Sequence, residues 1–191
     1  KRSFFLEIVV GISGASGVQY AIRLLQVLQE KGCITHVAIT DSAAKIIEVE
    51  TDFKLKEVEA LADHVYPPRD FAAPIASGSH LFDAMVIIPC SMGTLSAVAC
   101  GSSDTLITRA ADVCLKEKRR LIVAPRETPL SLIQIRNMAA AAEAGAIILP
   151  ACPAFYSRPK SLDELVDVLV GRVLDLLGLE NDLYQRWKGS A

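Results

Sequence analysis

A short loop near the start of the chain has the residue types of a phosphate-binding site. Residues 11–17 (GISGASG) place a glycine at every third position, directly after an apolar segment. Glycine lets the backbone approach a ligand closely, and a helix that begins after such a loop offers free N–H groups and partial positive charge to an anion. The dinucleotide-binding loop has the different spacing G-x-G-x-x-G, which disfavours a nicotinamide oxidoreductase. For this loop alone, a tight turn between strand and helix is an equal alternative.

Polar residues follow four further apolar segments, at the points where the predicted strands end. These groups are residues 40–42 (TDS), 90–94 (CSMGT), 126–128 (RET) and 153–158 (PAFYSR). Ligands of parallel α/β sheets bind beyond the carboxyl ends of the strands, so the groups are predicted to line one site. Two of them have structural alternatives. Ser91 is suited to cap a helix, and the charged pair Arg126–Glu127, which follows a buried strand, to form a structural ion pair.

Two cations on one predicted helix are candidates for phosphate contacts. Arg109 and Lys116 are seven residues apart, which puts them on one face of a helix. A solvated helix face is an equal alternative. The histidines His36, His64 and His80 form no motif with an acid and a nucleophile, and the sequence has no HExxH, Walker or Cys–His zinc spacing.

Apolar segments of strand length alternate with helical patterns along the chain. Strands are predicted at residues 6–11, 35–40, near Val65, and at 84–89, 120–125 and 146–150. Helices are predicted at residues 17–31, 41–51, 94–99, 104–117, 130–144 and 161–178. This alternation is typical of βαβ units, and continuously apolar strands indicate a sheet covered on both faces. The sequence therefore predicts a three-layer, doubly wound α/β fold with a mainly parallel sheet, in one domain of residues 1–191.

Charge, hydropathy and cysteine content disfavour several classes of protein. The formal net charge of −2 gives no reason to expect nucleic-acid binding. The apolar segments are too short to span a membrane, and the first residues lack the pattern of a signal peptide. Five cysteines without a pairing pattern fit reduced thiols. The composition therefore predicts a cytoplasmic protein that binds neither nucleic acid nor membrane.

Seven motifs, in order, resemble those of the UbiX-type flavin prenyltransferases. They are GISGASG at 11–17, ETD at 50–52, ASGS at 76–79, PCSMGT at 89–94, RAADV at 109–113, RETPL at 126–130 and PAFY at 153–156. The resemblance extends over nearly the whole chain, from the first strand to Trp187. It implies a Rossmann-like, flavodoxin-like fold that binds FMN as a single domain.

The resemblance also implies a reaction. Members of this family join a dimethylallyl group from dimethylallyl monophosphate to N5 and C6 of reduced FMN. The product, prenylated FMN, is the cofactor of UbiD-type decarboxylases, which act in ubiquinone synthesis or aromatic-acid decarboxylation. The family is metal-independent and forms homododecamers. The sequence agrees in lacking a DDxxD motif to hold magnesium on a diphosphate, which favours a monophosphate donor.

By position, the resemblance implies three sets of site residues. The residues that bind FMN would be Gly14, Ala15, Ser16, Thr40, Ser91, Met92, Gly93, Thr94 and Arg126. The catalytic residues would be Ser16, Glu50, Lys116 and Glu127. The residues that bind the donor would be Arg109, Lys116, Tyr156, Arg172 and Trp187. Thr40 stands where relatives usually have serine, so the contact with FMN is open between Thr40 and Ser42, and Thr105 replaces a common Asn.

Two other functions are compatible with an FMN site. An FMN-dependent decarboxylase of cysteine substrates would share the fold, but it relies on an active-site His and an Asn-containing motif that the sequence does not show. A non-catalytic flavin carrier is disfavoured by Glu127, Lys116 and Arg172, because storage needs no charged cluster beside the flavin ring.

Overall fold

The computed structural model describes residues 6–187 and residue 189, and in this part of the chain six parallel strands form one sheet. The strands are β1 (Glu7–Ile12), β2 (Ile34–Ile39), β3 (His64–Tyr66), β4 (Ala84–Cys90), β5 (Arg120–Pro125) and β6 (Ile147–Ile148). Their spatial order is β3-β2-β1-β4-β5-β6. The chain winds outward from β1 to β3, returns to place β4 beside β1, and winds outward again to β6. The carboxyl ends of β1 and β4 therefore flank the crevice where a doubly wound sheet binds its ligand.

Helices cover both faces of this sheet. They are α1 (Val18–Glu30), α2 (Asp41–Glu50), α3 (Leu55–Glu59), α4 (Met92–Cys100), α5 (Leu106–Lys116), α6 (Leu132–Glu143) and α7 (Leu162–Leu177), with a 3₁₀ turn at Pro74–Ala76. Side chains of β1 alternate between two cores: Ile8 and Val10 pack with α1, α2 and α7, whereas Val9 packs with α4, α5 and α6. The prediction of a three-layer, doubly wound fold is confirmed.

Most helix starts follow from side-chain caps visible in the sequence. The Ser131 hydroxyl accepts the N–H of Gln134, and the Gln134 side chain accepts the N–H of Ser131, so α6 begins at Leu132 rather than at residue 130. The last strand is shorter than predicted: β6 has two residues, between Gly145 with φ of 115° and Pro150, which has no N–H to donate. Among the described residues, no helix has both the length and the apolar character that a membrane crossing requires.

A buried hydroxyl joins the two strands that flank the crevice. Ser13, directly after β1, is fully buried. Its Oγ donates to the carbonyl of Pro89 at 3.1 Å and accepts the N–H of Ser91 at 2.8 Å. The Ser13 N–H also donates to Pro89 O at 3.2 Å. The carboxyl ends of β1 and β4 are therefore held together at the point from which both ligand-facing loops depart.

We expect Ser13→Ala to lower the free energy of unfolding by about 1–3 kcal/mol, because the Ser91 N–H loses its acceptor in a buried setting. Urea denaturation measures this change. Ser96→Ala is the matched control: the Ser96 side chain, in the middle of α4, makes no hydrogen bond within the described residues, and its loss should change stability by no more than about 0.5 kcal/mol. Equal effects of the two substitutions would contradict the role of Ser13.

Candidate active site

The three glycines of the loop at residues 11–17 serve packing and chain direction. A Cβ at Gly11 would lie 2.9 Å from the Ile107 side chain, so this glycine lets α5 pack closely against β1. A Cβ at Gly14 would collide with the Ser42 hydroxyl, which brings the loop after β1 against the start of α2. Gly17 has φ of 101° and forms the N-cap of α1. The tight turn between strand and helix, which the sequence left as an alternative, is therefore present in the structure.

The N-terminus of α1 is occupied by a carboxylate of the protein itself. Oε2 of Glu50, the last residue of α2, accepts the N–H of Gly17 at 2.8 Å, and the Gln19 side chain donates to the Glu50 carbonyl at 3.1 Å. The partial positive charge of the helix end stabilises this carboxylate. The Gly17 N–H is therefore engaged within the chain and is not free to contact a phosphate. Glu50 instead lies beside the loop and borders a cavity of about 630 Å³ between α1 and α7.

Hydroxyl groups gather where α2 and α4 begin. Thr40 Oγ1 accepts the N–H of Ala43 at 3.2 Å and lies 3.1 Å from the Ser42 hydroxyl, so Thr40 and Ser42 face the same edge together. Ser91 Oγ accepts the N–H of Thr94 at 3.3 Å. The cap role that the sequence allows for Ser91 is therefore present in the structure.

Open space lies beside the first turn of α4. A Cβ added at the exposed Gly93 would meet no atom within 4 Å. Ser16, on the facing loop, is half-buried, and its hydroxyl has no hydrogen bond to any described residue. Free hydroxyls, a helix N-terminus and room for a ligand meet at this edge, and this donor set fits a phosphate and the polar rim of a flavin ring.

The charged pair after β5 is not a structural ion pair. The Arg126 N–H donates to Cys90 O at 3.1 Å, which ties the end of β5 to that of β4. Both side chains are exposed, and neither forms a salt bridge to another residue of the described chain. Within the part of the chain that the structure describes, the Glu127 carboxylate accepts a single hydrogen bond, from the neighbouring Thr128 N–H at 3.0 Å. The guanidinium and the carboxylate are thus available to a ligand.

Tyr20 extends the site in a way the sequence motifs did not indicate. It lies on the first turn of α1, and burial raises the pKa of its phenol, with Cys152 raising it further and Arg126 lowering it. Tyr20 therefore places a partly buried phenol at the start of α1. The Cys90 thiol, in contrast, is no candidate nucleophile, because burial raises its pKa to about 12.

Three predicted donor-binding residues lie together after β6. Tyr156 and Arg172 border a cavity of about 340 Å³. The rings of Tyr156 and Trp187 meet edge to face, with centroids 5.6 Å apart. The structure therefore brings a guanidinium, a phenol and an indole into one cluster.

A carboxylate on α7 holds the chain segment that carries Trp187. Asp175 accepts hydrogen bonds from Arg186 at 2.6 and 3.1 Å, from Tyr184 at 2.7 Å and from Asn181 at 3.0 Å. Desolvation, the largest influence, raises the pKa of Asp175, but the hydrogen bonds from these three side chains together bring it below its usual range. Arg172 also donates to Asp175, at 3.1 Å, so one carboxylate orients both this predicted donor-binding cation and the segment that carries Trp187.

The two predicted cations of α5 do not join this cluster within one chain. Arg109 donates to the carbonyl of Ala76 at 3.0 Å and to Asp112 at 2.9 Å. Lys116 is the last residue of α5 and contacts Glu117 at 2.7 Å. Because β5 begins only four residues later, Lys116 lies towards the amino edge of the sheet, opposite the crevice.

All three histidines lie at that same amino edge. His36 pairs in register with His64 on the neighbouring strand, and their rings stack with centroids 4.7 Å apart. His80 precedes β4 and meets His36 edge to face at 5.4 Å. No histidine is therefore available to the loops at the carboxyl edge. The sequence contains no local spacing that would predict this cluster.

Comparisons with known proteins agree with this geometry. Residues 4–174 match the family model described as Flavoprotein. A flavin prenyltransferase UbiX from Thermoplasma acidophilum is 54% identical over 95% of this chain and all of its own length.

Two solved structures superpose closely on the fold. AnUbiX, crystallised with FMN and dimethylallyl pyrophosphate, gives a TM-score of 0.96 at 45% identity, covering 98% of this chain and all of that chain. A dodecameric FMN-dependent UbiX-like decarboxylase from Escherichia coli O157:H7 gives 0.94 at 44% identity, covering 96% of this chain and all of that one. The fold, the crevice and these likenesses together show that the chain belongs to the UbiX-type flavin prenyltransferases, within the Flavoprotein family.

Proposed function

We propose that this chain transfers a dimethylallyl group from dimethylallyl monophosphate to N5 and C6 of reduced FMN. The observation that carries the proposal is near-full-length likeness to named flavin prenyltransferases, including a relative that binds FMN and a dimethylallyl donor together. The product would be prenylated FMN, passed to a UbiD-type decarboxylase.

FMN contacts are assigned to residues that meet at the carboxyl edge of the sheet. The proposed set is Gly14, Ala15, Ser16, Thr40, Ser91, Met92, Gly93, Thr94 and Arg126. Reduced FMN supplies the nucleophilic N5 and C6 atoms when it is bound. The Ser16 hydroxyl and the Arg126 guanidinium support the assignment, because neither has a side-chain hydrogen bond to a described residue and each can contact a phosphate or a ring carbonyl without breaking one.

Proton handling is assigned to Ser16 and Glu127, with Glu50 beside the flavin. An exposed carboxylate without a cationic partner can accept a proton from the flavin and return it. Glu50 is held by the Gly17 N–H, so its charge is fixed close to the loop. A fixed negative charge stabilises an allylic cation as the carbon–oxygen bond of the donor breaks.

The leaving phosphate is assigned to cations and a phenol. Arg172 and Tyr156 share one cavity, and the Trp187 ring offers a π face to the allyl group. Lys116 and Arg109 are assigned to the same phosphate, although Lys116 lies at the opposite edge of its own chain. We therefore propose that these two cations reach the donor from a neighbouring copy in a homo-oligomer, of which the dodecameric relative is an example.

A cysteine-type decarboxylase is the second candidate, and related structures are named as decarboxylases, although neither name refers to a cysteine substrate. Such an enzyme relies on an active-site histidine. His36, His64 and His80 are all at the amino edge, far from the crevice. This placement favours prenyl transfer over decarboxylation, and the free charges of Arg126 and Glu127 favour an enzyme over a carrier.

The remaining features of the proposal concern the chain as a whole. We propose one domain across residues 1–191, supported by two hydrophobic cores that share a single sheet. We also propose a cytoplasmic location, supported by five free cysteines, which fit a reducing compartment.

Anaerobic incubation with reduced FMN and dimethylallyl monophosphate should add one five-carbon unit to the flavin. Mass spectrometry of the released flavin measures the product. Dimethylallyl pyrophosphate, tested in parallel, should react more slowly, because the sequence has no acidic motif to hold magnesium on a diphosphate. Unmodified flavin with both donors, in a preparation that binds FMN, would contradict the proposal.

Glu127→Gln should preserve FMN binding and slow turnover by about 10²–10⁴-fold, because the amide cannot shuttle a proton. Stopped-flow absorbance and flavin titration separate the two effects. Glu143→Gln, at the exposed end of α6, is the matched control and should behave as the unmodified chain. Normal turnover in Glu127→Gln would remove this carboxylate from the mechanism.

Mixed oligomers test whether Lys116 acts on a neighbouring copy. Lys116→Ala and Glu127→Gln should each be nearly inactive alone, whereas co-assembly should restore about one quarter of full activity, since random mixing in a shared interface completes that fraction of sites. Ser16→Ala mixed with Glu127→Gln is the control and should show no rescue, because one chain supplies both residues. Absence of rescue in the Lys116 mixture would contradict the shared site.

A further inference from the structure

A cluster of potential metal ligands lies at the amino edge of the sheet, away from the proposed prenyl-transfer site. Within the described residues, one ligand atom each from Glu7, His36 and His80 lies within 4.8 Å of the others. Glu7 Oε1 is 2.8 Å from His36 Nε2 and 2.6 Å from His80 Nε2. Three elements, β1, β2 and the loop before β4, thus converge on one point.

One atom of this cluster lacks a hydrogen-bond partner. His80 Nε2 is buried and has no hydrogen-bond partner, because its contact with the Glu7 carboxylate lacks the geometry of a hydrogen bond. A buried ring nitrogen without a partner is costly in free energy. A cation between Glu7, His36 and His80 would satisfy it, since each residue would direct a lone pair to the ion.

The neighbours of His36 fix the orientation of its ring. This ring is 97% buried, and its Nδ1 lies 2.9 Å from the Tyr66 hydroxyl, which leaves Nε2 directed at Glu7. Histidines that bind metal use the second ring nitrogen in this way to fix tautomer and orientation.

The loop that carries His80 is also fixed. Arg119 donates to the carbonyl of His80 at 2.8 Å and to that of Gly78 at 2.6 Å, and its guanidinium covers the Phe82 ring at 4.5 Å. His80 is therefore presented to the cluster by a constrained backbone.

From these contacts we propose that Glu7, His36 and His80 form a structural site for Zn²⁺ that is separate from the transferase reaction. Two imidazoles and a carboxylate are a common ligand set for this ion, with water as the fourth ligand. Tetrahedral bonds of 2.0–2.1 Å place ligand atoms about 3.3 Å apart, so the two contacts to Glu7 need to open by only about 0.5–0.7 Å. Partial exposure of Glu7 and His80 provides the path of entry.

Calorimetric titration of the untagged, chelator-treated full chain with Zn²⁺ tests the site. The variants are made in a Cys100→Ser/Cys152→Ser background, because those are the exposed thiols. One ion should bind per chain, and binding should raise the melting temperature. His80→Ala and Glu7→Gln should each weaken binding at least tenfold, and Mg²⁺ should not bind, because it prefers oxygen ligands.

His64→Ala is the matched control. His64 stacks on His36, but its nitrogens are not among the converging atoms, so this variant should keep most of the affinity. Tyr66→Phe keeps all three ligands but removes the hydroxyl that contacts His36 Nδ1, and we expect about a tenfold loss of Zn²⁺ affinity. Failure of the parent background to bind Zn²⁺, or an equal loss in His64→Ala and His80→Ala, would overturn the proposal. Circular dichroism confirms that each variant is folded.

Discussion

The buried hydroxyl of Ser13 is the contact on which the geometry of the crevice depends. It links the end of β1 to the end of β4, the two strands between which the chain reverses its winding. From there the constraint passes outward through backbone bonds, since Arg126 N–H donates to Cys90 O and Ala151 N–H to Pro125 O. The loops that carry the proposed ligand groups therefore leave the sheet at fixed relative heights, although the loops themselves are exposed.

The helix N-termini at this edge differ in whether a group of the protein already occupies them. The end of α1 is neutralised by Glu50, whereas α4 keeps its first turn open beside Gly93. A carboxylate at a helix N-terminus is stabilised by the helix dipole, which holds the Glu50 side chain close to the loop after β1. A phosphate at the same point would compete with this charge. The division thus leaves the start of α4, rather than that of α1, open to an anion.

Local patterns in the sequence predicted the fold and most of the carboxyl edge, because strand ends and helix caps are determined by neighbouring residues. Ser91 caps a helix, as the sequence allows, whereas the Ser131 cap was not predicted and moves the start of α6 to Leu132. The sequence could not predict the contact of Glu50 with Gly17, which joins residues 33 positions apart. The histidine cluster was missed for the same reason, since its members come from two strands and a loop. The position of Lys116 away from Arg126, in contrast, could be predicted, because the predicted helix at 104–117 ends just before the predicted strand at 120–125 and therefore at the amino edge.

The two edges of the sheet differ in how their polar groups are satisfied. At the carboxyl edge, Ser16, Arg126 and Glu127 keep hydrogen-bonding capacity that no described residue uses. At the amino edge, Glu7 and Arg119 are engaged by several partners each. Unused hydrogen-bonding groups are useful where a ligand must bind and leave, whereas the contacts of Glu7 and Arg119 stabilise the strands that position the crevice. A metal ion at the amino edge would add to this stabilisation and would take no part in the transfer reaction. It would lie at the opposite ends of the strands that hold the crevice in register.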